Sequence, residues 1–146
     1  MTTHLHIPDP HAHPEHSNMR FNLLGKLILD LKPDVVICAG DLFDMESLNS
    51  FDSASRKAWT KTSYTKDITV GIDAQERKAK RRMPRRVFNM GNHEAPRIER
   101  WLGTETIMEG SVGVSDMDLD YYWDDVVPFL EPIIIDGIAY CHYWVS

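Results

Sequence analysis

Long apolar runs are missing from this chain of 146 residues. None approaches the roughly 18 consecutive apolar residues of a membrane-crossing helix, so no helical membrane span is expected. Cysteine is scarce. Cys38 and Cys141 both lie inside apolar strand-like runs and read as reduced core residues of a cytoplasmic protein. The opening Met1-Thr2-Thr3-His4 has no basic region followed by an apolar block, so no secretory signal is visible. An excess of positive charge is lacking too. Against 16 Lys and Arg stand 22 Asp and Glu, a formal net charge of -6. That argues against a surface built throughout for nucleic acid and leaves a local basic patch open. No internal repeat is found. What is present suits a single domain over residues 1–146, since a 42% hydrophobic content is ordinary for a chain that buries a core.

The order of elements follows from punctuation and period. Residues 4–8 read as a strand, with Pro8 weakening its end. A polar loop over 9–16 holds His11, His13 and His16, part of an unusual crowding of histidine that begins at His4 and His6. Ser17 or Asn18 can cap a helix whose apolar stripe is Phe21, Leu24, Leu27, Ile28 and Leu31, and Lys32-Pro33 stops it. A strand over 35–39 completes a strand–helix–strand opening, for which a parallel βαβ unit is the natural product. Residues 46–66 are polar, with Trp59 and Tyr64 as anchors, and carry no clear period. A helix is expected over 68–82, a strand over 86–90, and a short helix over 97–102 with Pro96 in its first turn. Glycines at 103, 110 and 113 mark a loop, and an acidic, aromatic stretch runs from Asp116 to Leu130. Two apolar runs joined by Asp136-Gly137 predict a closing hairpin over 133–142.

Three of these strands end alike. Val35-Val36-Ile37-Cys38-Ala39 runs into Gly40-Asp41-Leu42-Phe43-Asp44, Val87-Phe88-Asn89-Met90 runs into Gly91-Asn92-His93-Glu94, and Leu5-His6-Ile7-Pro8 runs into Asp9-Pro10-His11. Open α/β sheets place ligands at the carboxyl ends of their strands. Asp9 and His11 lie two apart, so in an extended segment they face the same way. His142 leaves the last strand. Mixed carboxylate, imidazole and amide donors suit Mn, Fe or Zn rather than an all-thiolate structural site. A carboxylate can bridge two such ions ~3.5–4 Å apart.

The three motifs, in this order and spacing, resemble the first three of the calcineurin-like metallophosphoesterases. Leu31-Lys32-Pro33-Asp34-Val35-Val36 is similar to that family's approach to Gly-Asp, and Asp136-Gly137-Ile138-Ala139-Tyr140-Cys141-His142-Tyr143 resembles its fourth motif. Overall the chain is most similar to members encoded by tailed phages and prophages. The resemblance implies an α/β sandwich and two divalent metal ions (Mn, Fe or Zn). Asp9 and His11 would hold the first ion, Asp41 would bridge both, and Asn92 and His142 would hold the second. It implies hydrolysis of a phosphoester by a hydroxide bridging the metals, with His93 contacting the phosphate and protonating the departing oxygen, so that His93 and Asp41 are the catalytic residues. Asp44 would orient a ligand, and Glu94 has no settled role. The family continues to a Gly-His-x-His motif, which does not occur before Ser146. The expectation is therefore a C-terminally incomplete α/β sandwich, and oligomeric state is open, a dimer over the apolar terminal run being one arrangement.

Two charged stretches remain. The run Arg77-Lys78-Ala79-Lys80-Arg81-Arg82-Met83-Pro84-Arg85-Arg86 reads either as a solvated helix face or as a nucleic-acid contact. The acids at 116, 118, 120, 124 and 125 lack the calcium-loop pattern and read as a solvated amphipathic segment packing Tyr121, Tyr122 and Trp123. The expected function is hydrolysis of a phosphoester, a nucleic-acid phosphodiester ahead of a phosphoprotein or small nucleotide, in the cytoplasm of a cell or of a phage host. A fold-retaining scaffold without turnover, and a nucleic-acid-binding module acting through 77–86, are the readings from other classes.

Overall fold

The computed structural model describes residues 2–48, 61–78, 84–104 and 110–144, with the backbone alone at 61–63 and 78. Four strands, β1 (His4–Ile7), β2 (Val35–Cys38), β3 (Arg85–Asn89) and β4 (Asp125–Val127), form a parallel sheet in the order β1-β2-β3-β4. Between them lie α1 (Met19–Leu31), α2 (Lys61–Lys78), α3 (Ala95–Thr104) and the single turn α4 (Leu119–Tyr122). A separate antiparallel pair, β5 (Ile133–Ile135) and β6 (Ile138–Tyr140), closes the described chain. The fold is α/β, as the alternation of elements predicts. Among the described residues no helix is long and apolar enough to cross a membrane.

Period-2 alternation along each strand sorts the two faces of the sheet. Cys38 and Phe88 point to one face, where Phe21 of α1, Ala74 of α2 and Ile98 and Trp101 of α3 pack on them. Val35, Ile37 and Val87 point to the other, where Ile133, Ile135 and Tyr140 of the hairpin cover them. All four residues of β2 are buried, which explains its unbroken apolar sequence.

The helices depart from expectation in instructive ways. In α1 the buried face is Phe21, Gly25 and Ile28, while Leu27 and Leu31 are 44% and 58% exposed. The i, i+4, i+7 spacing through Gly25 sets the contact face, and Leu27 is turned about 100° from Ile28. Asn18 stands at the N-cap position, but its amide donates instead to Val70 O and Asp73, tying α1 to α2. Lys32 closes the helix in the left-handed conformation, its N–H returning to Ile28 O.

Helix α2 starts seven residues before the expected 68, at Lys61. Tyr64, Asp67, Gly71, Ala74 and Gln75 fall on one buried face. Tertiary burial there overrides the weak helix propensity of Thr62, Ser63 and Thr65. The expected end at 82, Trp59, and Lys78 to Met83 of the basic run lie outside the described residues or side chains. Helix α3 extends the expected 97–102 by two residues at each end.

The acidic stretch is amphipathic as expected, with Asp116, Asp118, Asp120 and Asp124 exposed, and among its aromatics it departs from expectation only at Tyr121. Met117, Leu119 and Trp123 are buried, Trp123 Nε1 donates to Gln75 Oε1 at 2.8 Å, and Tyr121 alone of the three aromatics faces solvent. It also contains β4, which sequence period does not reveal. Arg86 of β3 grips Asp124 through a guanidinium hydrogen bond of 2.8 Å and a backbone N–H bond of 2.8 Å, setting the register of the edge strand. The hairpin turn is as predicted, with Asp136 (φ 50°) and Gly137 (φ 81°) both left-handed.

Candidate metal centre

The loops that follow β1, β2 and β3 converge at the carboxyl edge of the sheet. After β1 the chain does not stay extended. Asp9 (φ 40°) and His11 (φ 44°) are both left-handed, so their convergence comes from two left-handed backbone positions rather than from strand alternation. The His11 N–H donates to Asp41 O at 2.9 Å and the Ala12 N–H to Leu42 O at 2.6 Å, and Ala12 bridges to Phe43. The first loop is thereby laid alongside the second.

After β2, Gly40 (φ 91°) permits the close approach of the third loop. A Cβ on Gly40 would lie 2.6 Å from Gly91 N, and one on Gly91 would lie 2.1 Å from Asp41 Oδ1. Glycine at both places lets the second and third loops touch. Asp41 (φ 52°) is buried, and its Oδ1 accepts the His93 N–H at 2.9 Å.

Every expected ligand lies at this edge. Ligand atoms of Asp9, His11 and Asp41 come within 4.8 Å of one another. His142 enters from the hairpin, its Nε2 3.6 Å from Asp41 Oδ2 and its Nδ1 3.7 Å from Asp9 Oδ1. Asn92 Oδ1 is 3.0 Å from His142 Nε2. His93 Nε2 stands 3.7 Å from the same Asp41 Oδ2. His13 turns instead to Glu46, 2.5 Å away, and His4 and His6 lie against Tyr140 on the hairpin. His16 rings pack on His13 at 4.9 Å.

Hydrogen bonds fix which nitrogens face the centre. His142 Nδ1 donates to Ala39 O at 2.6 Å, so in the neutral ring Nε2 carries a lone pair. That lone pair, Asn92 Oδ1 and Asp41 Oδ2 point together with no proton among them, an arrangement that a cation satisfies. His11 gives Nδ1 to Asp44 Oδ1 at 2.9 Å, the pairing that leaves Nε2 for a metal. His93 Nδ1 donates to Asp44 O at 2.8 Å, which frees Nε2. The donor set, hard oxygens with imidazole, fits divalent ions of the Mn, Fe and Zn type. His11, Asp44 and His93 form a second close group, so Asp44 is itself within reach of an ion.

Charge is arranged around Asp44. Hydrogen bonds from His11 and then His93 hold its carboxyl far below the usual range, and the same bond raises the His11 imidazole above its ordinary value.

The whole arrangement has a family counterpart. Residues 3–143 match the model of the calcineurin-like phosphoesterases. The chain belongs to that family. No curated protein matches it. Members of this hydrolase family typically bind divalent metals, and the His and Asp groups described above are candidates for that role.

In this calcineurin-like phosphoesterase two further residues shape the site. Glu94 is fully buried, and its carboxylate accepts the N–H groups of Asp41 (3.0 Å), Phe43 (3.0 Å) and Gly91 (2.8 Å). It staples the second and third loops together. Burial, and then the Asp41 charge, push its carboxyl upward. Its place directly after Gly91-Asn92-His93 was the available signal. Arg97 reaches from the first turn of α3 to Asp44 O (2.6 Å) and Met45 O (3.3 Å), sharing the Asp44 carbonyl with His93. Sequence offers no signal for Arg97, because the acceptors are backbone atoms 52 and 53 residues away.

Proposed function

We propose that this phosphoesterase hydrolyses a phosphodiester, with water adding to phosphorus and one ester oxygen leaving, and that nucleic acid supplies the substrate class. The observation that carries the reading is the position of Asp41 Oδ2, 3.7 Å from His93 Nε2 and 3.6 Å from His142 Nε2. These separations are too long for direct hydrogen bonds and suit groups that share a third body. Asp9, His11, Asp41, Asn92 and His142 would hold two divalent ions. When bound, such ions neutralise the phosphate charge and bring the pKa of water towards neutrality.

The chain's own part is proton placement and orientation. His93, protonated at Nε2, donates that proton to the departing oxygen, while its Nδ1–H bond to Asp44 O fixes the ring. Arg97 holds the carbonyl that orients His93. Asp44, with its carboxyl ionised, holds the His11 ring so that Nε2 faces the centre. For the nucleic-acid substrate the support is the basic run over 77–86. Within that run Arg77, Arg85 and Arg86 pair with Asp73, Asp125 and Asp124. Scarce cysteine, with Cys38 buried in β2, suits the reducing cytoplasm.

The test is hydrolysis of bis(p-nitrophenyl) phosphate with added manganese, beside the monoester p-nitrophenyl phosphate. Metal-dependent turnover of the diester, lost by a factor of about 100 or more in Asp41→Asn and His93→Ala, is the expected result. Preference for the monoester would remove the diesterase assignment. Metal binding without any turnover would leave a binding protein of this fold.

A further inference from the structure

His142 differs from the other candidate ligands in where it comes from. Asp9, His11, Asp41 and Asn92 sit on loops that leave strands of the four-stranded sheet, whereas His142 follows β6 of the separate hairpin. Among the described residues the hairpin makes no strand pairing with that sheet. A two-stranded hairpin alone is marginally stable in water. Something must therefore fix its position if His142 is to meet Asp41 and Asn92 reproducibly.

The fixing groups are visible at the far end of β1. His4 is 8% exposed at its side chain, and both ring nitrogens are taken by the hairpin. Its Nδ1 lies 2.7 Å from Tyr140 Oη, and its Nε2 lies 3.1 Å from Asp136 Oδ2. A neutral imidazole satisfies both at once, with Nε2–H donating to the carboxylate and the phenol O–H donating to Nδ1. Asp136 begins the turn, and Tyr140 ends β6 two residues before His142. One imidazole thus grips the hairpin at both ends of β6. The Tyr140 ring also lies against His4 and His6, with centroids 5.7 and 5.8 Å apart. On the opposite side Asn89 of β3 donates to Tyr140 O at 3.4 Å.

We propose that His4, Asp136 and Tyr140 form a latch that positions His142, so that residues far from the centre govern one of its two metal positions and not the other. The inference rests on the reading of His142 as a ligand. Tyr140 and His4 are positioning residues; neither reaches the centre. Apolar contact of Ile133 and Ile135 with Val35, Ile37 and Val87 holds the hairpin onto the sheet face. Such contact is non-directional and does not set where along that face the hairpin lies. The hydrogen bonds of the latch do, together with those from Asn89 to Tyr140 O and from His142 Nδ1 to Ala39 O.

The test uses the full chain as wild type, Tyr140→Phe, His4→Leu, His142→Ala and the double variant Tyr140→Phe/His142→Ala, with His4→Gln as a conservative variant. Manganese binding is followed by calorimetry, and backbone hydrogen exchange is followed in the metal-free proteins. Tyr140→Phe removes one hydroxyl and keeps the ring, so folding is retained. Expected is a loss of about 10-fold in one binding event, with the other unchanged. Tyr140→Phe added to His142→Ala should then produce no further loss. Amides over 133–142 should exchange faster in Tyr140→Phe and His4→Leu, with those of β2 and β3 unchanged and His4→Gln in between. Unchanged exchange in the hairpin overturns the latch, as does an equal weakening of both binding events. Wild type that binds no manganese overturns the ligand reading of His142 and the role built on it, a result separable from failure of the latch because exchange reports without metal.

Discussion

Glu94 stands directly behind Asp41: its Oε2 accepts the Asp41 N–H at 3.0 Å, while the Asp41 carboxylate turns forward and accepts the His93 N–H at 2.9 Å. Two acids with opposite duties are separated by one backbone amide. The buried one organises loops, and the forward one faces the candidate ligands. Three N–H donors converging on one carboxylate offset part of the burial penalty that raises its pKa.

Replacing Glu94 by Gln should therefore damage folding and metal binding together. A glutamine amide nitrogen cannot accept, so at least one of the N–H groups of Asp41, Phe43 and Gly91 is left buried and unpaired. The loss should be about 1–3 kcal/mol, read from the urea midpoint at constant m-value. Manganese affinity should fall as well, because the loop carrying Asp41 loses its tether. A variant as stable as wild type would show that the three bonds are dispensable.

Arg97 is a cation placed in the first turn of α3, where the helix dipole disfavours it, and burial pushes its guanidinium pKa down. Those two penalties point to a role in the site. Arg97→Met should lower kcat on the chromogenic diester by about 100-fold through misplacement of His93. Manganese stoichiometry should stay the same, since Arg97 holds Asp44 O and Met45 O and none of the expected ligands. Combined with His93→Ala, Arg97→Met should add little. Additive losses would separate the two residues.

How much of this was legible beforehand follows from range. Motif residues and the hairpin turn are encoded locally, by Gly-Asp, Gly-Asn-His and Asp-Gly within a few positions, so they can be read directly. Strand β4 cannot. It offers Asp125, Val126 and Val127, with Val126 packing towards the helices and Val127 towards the hairpin, too short a run for any period to show. Its pairing is specified by Arg86, 38 residues upstream. The left-handed backbone at Asp9 and His11 was unreadable for a related reason, because the His11 and Ala12 N–H groups donate to the loop after β2. Glu94 was visible as a residue and unreadable as a staple until its three donors were known.

The Arg86–Asp124 pair gives β4 a pH signature. Hydrogen bonding to Arg86 lowers the Asp124 pKa below its ordinary 3.8. A depressed acid contributes stability above 3.8 and loses it as pH falls through the folded-state value. With the Asp124 side chain 45% exposed, solvent screens the pair, and its worth is about 0.5–1 kcal/mol. Asp124→Asn should be less stable than wild type by that amount at pH 7. The gap should close as the solution is acidified below 3.8, measured by urea unfolding at each pH. A gap that persists in acid would assign the loss to the backbone bond to Arg86 N rather than to charge.

Gly71 sets intrinsic propensity against packing. It lies within α2, where alanine should stabilise a helix by roughly 0.5–1 kcal/mol. Yet a Cβ at this position would lie 2.1 Å from two carbons of the Phe43 ring. Phe43 is fully buried, so the ring has no free space to move into. It also sits two residues after Asp41 and bridges to Ala12 of the first loop. Pushing it away shifts the turn that carries Asp41. Gly71→Ala should therefore be destabilising by about 1–3 kcal/mol, with the sign opposite to that of helix propensity. Manganese affinity should fall in the same variant. Gly103→Ala, at a helical site with open space around the added Cβ, is the control and should be neutral or stabilising. If Gly71→Ala behaved like Gly103→Ala, close packing of α2 on Phe43 would not be what holds the Asp41 turn in place.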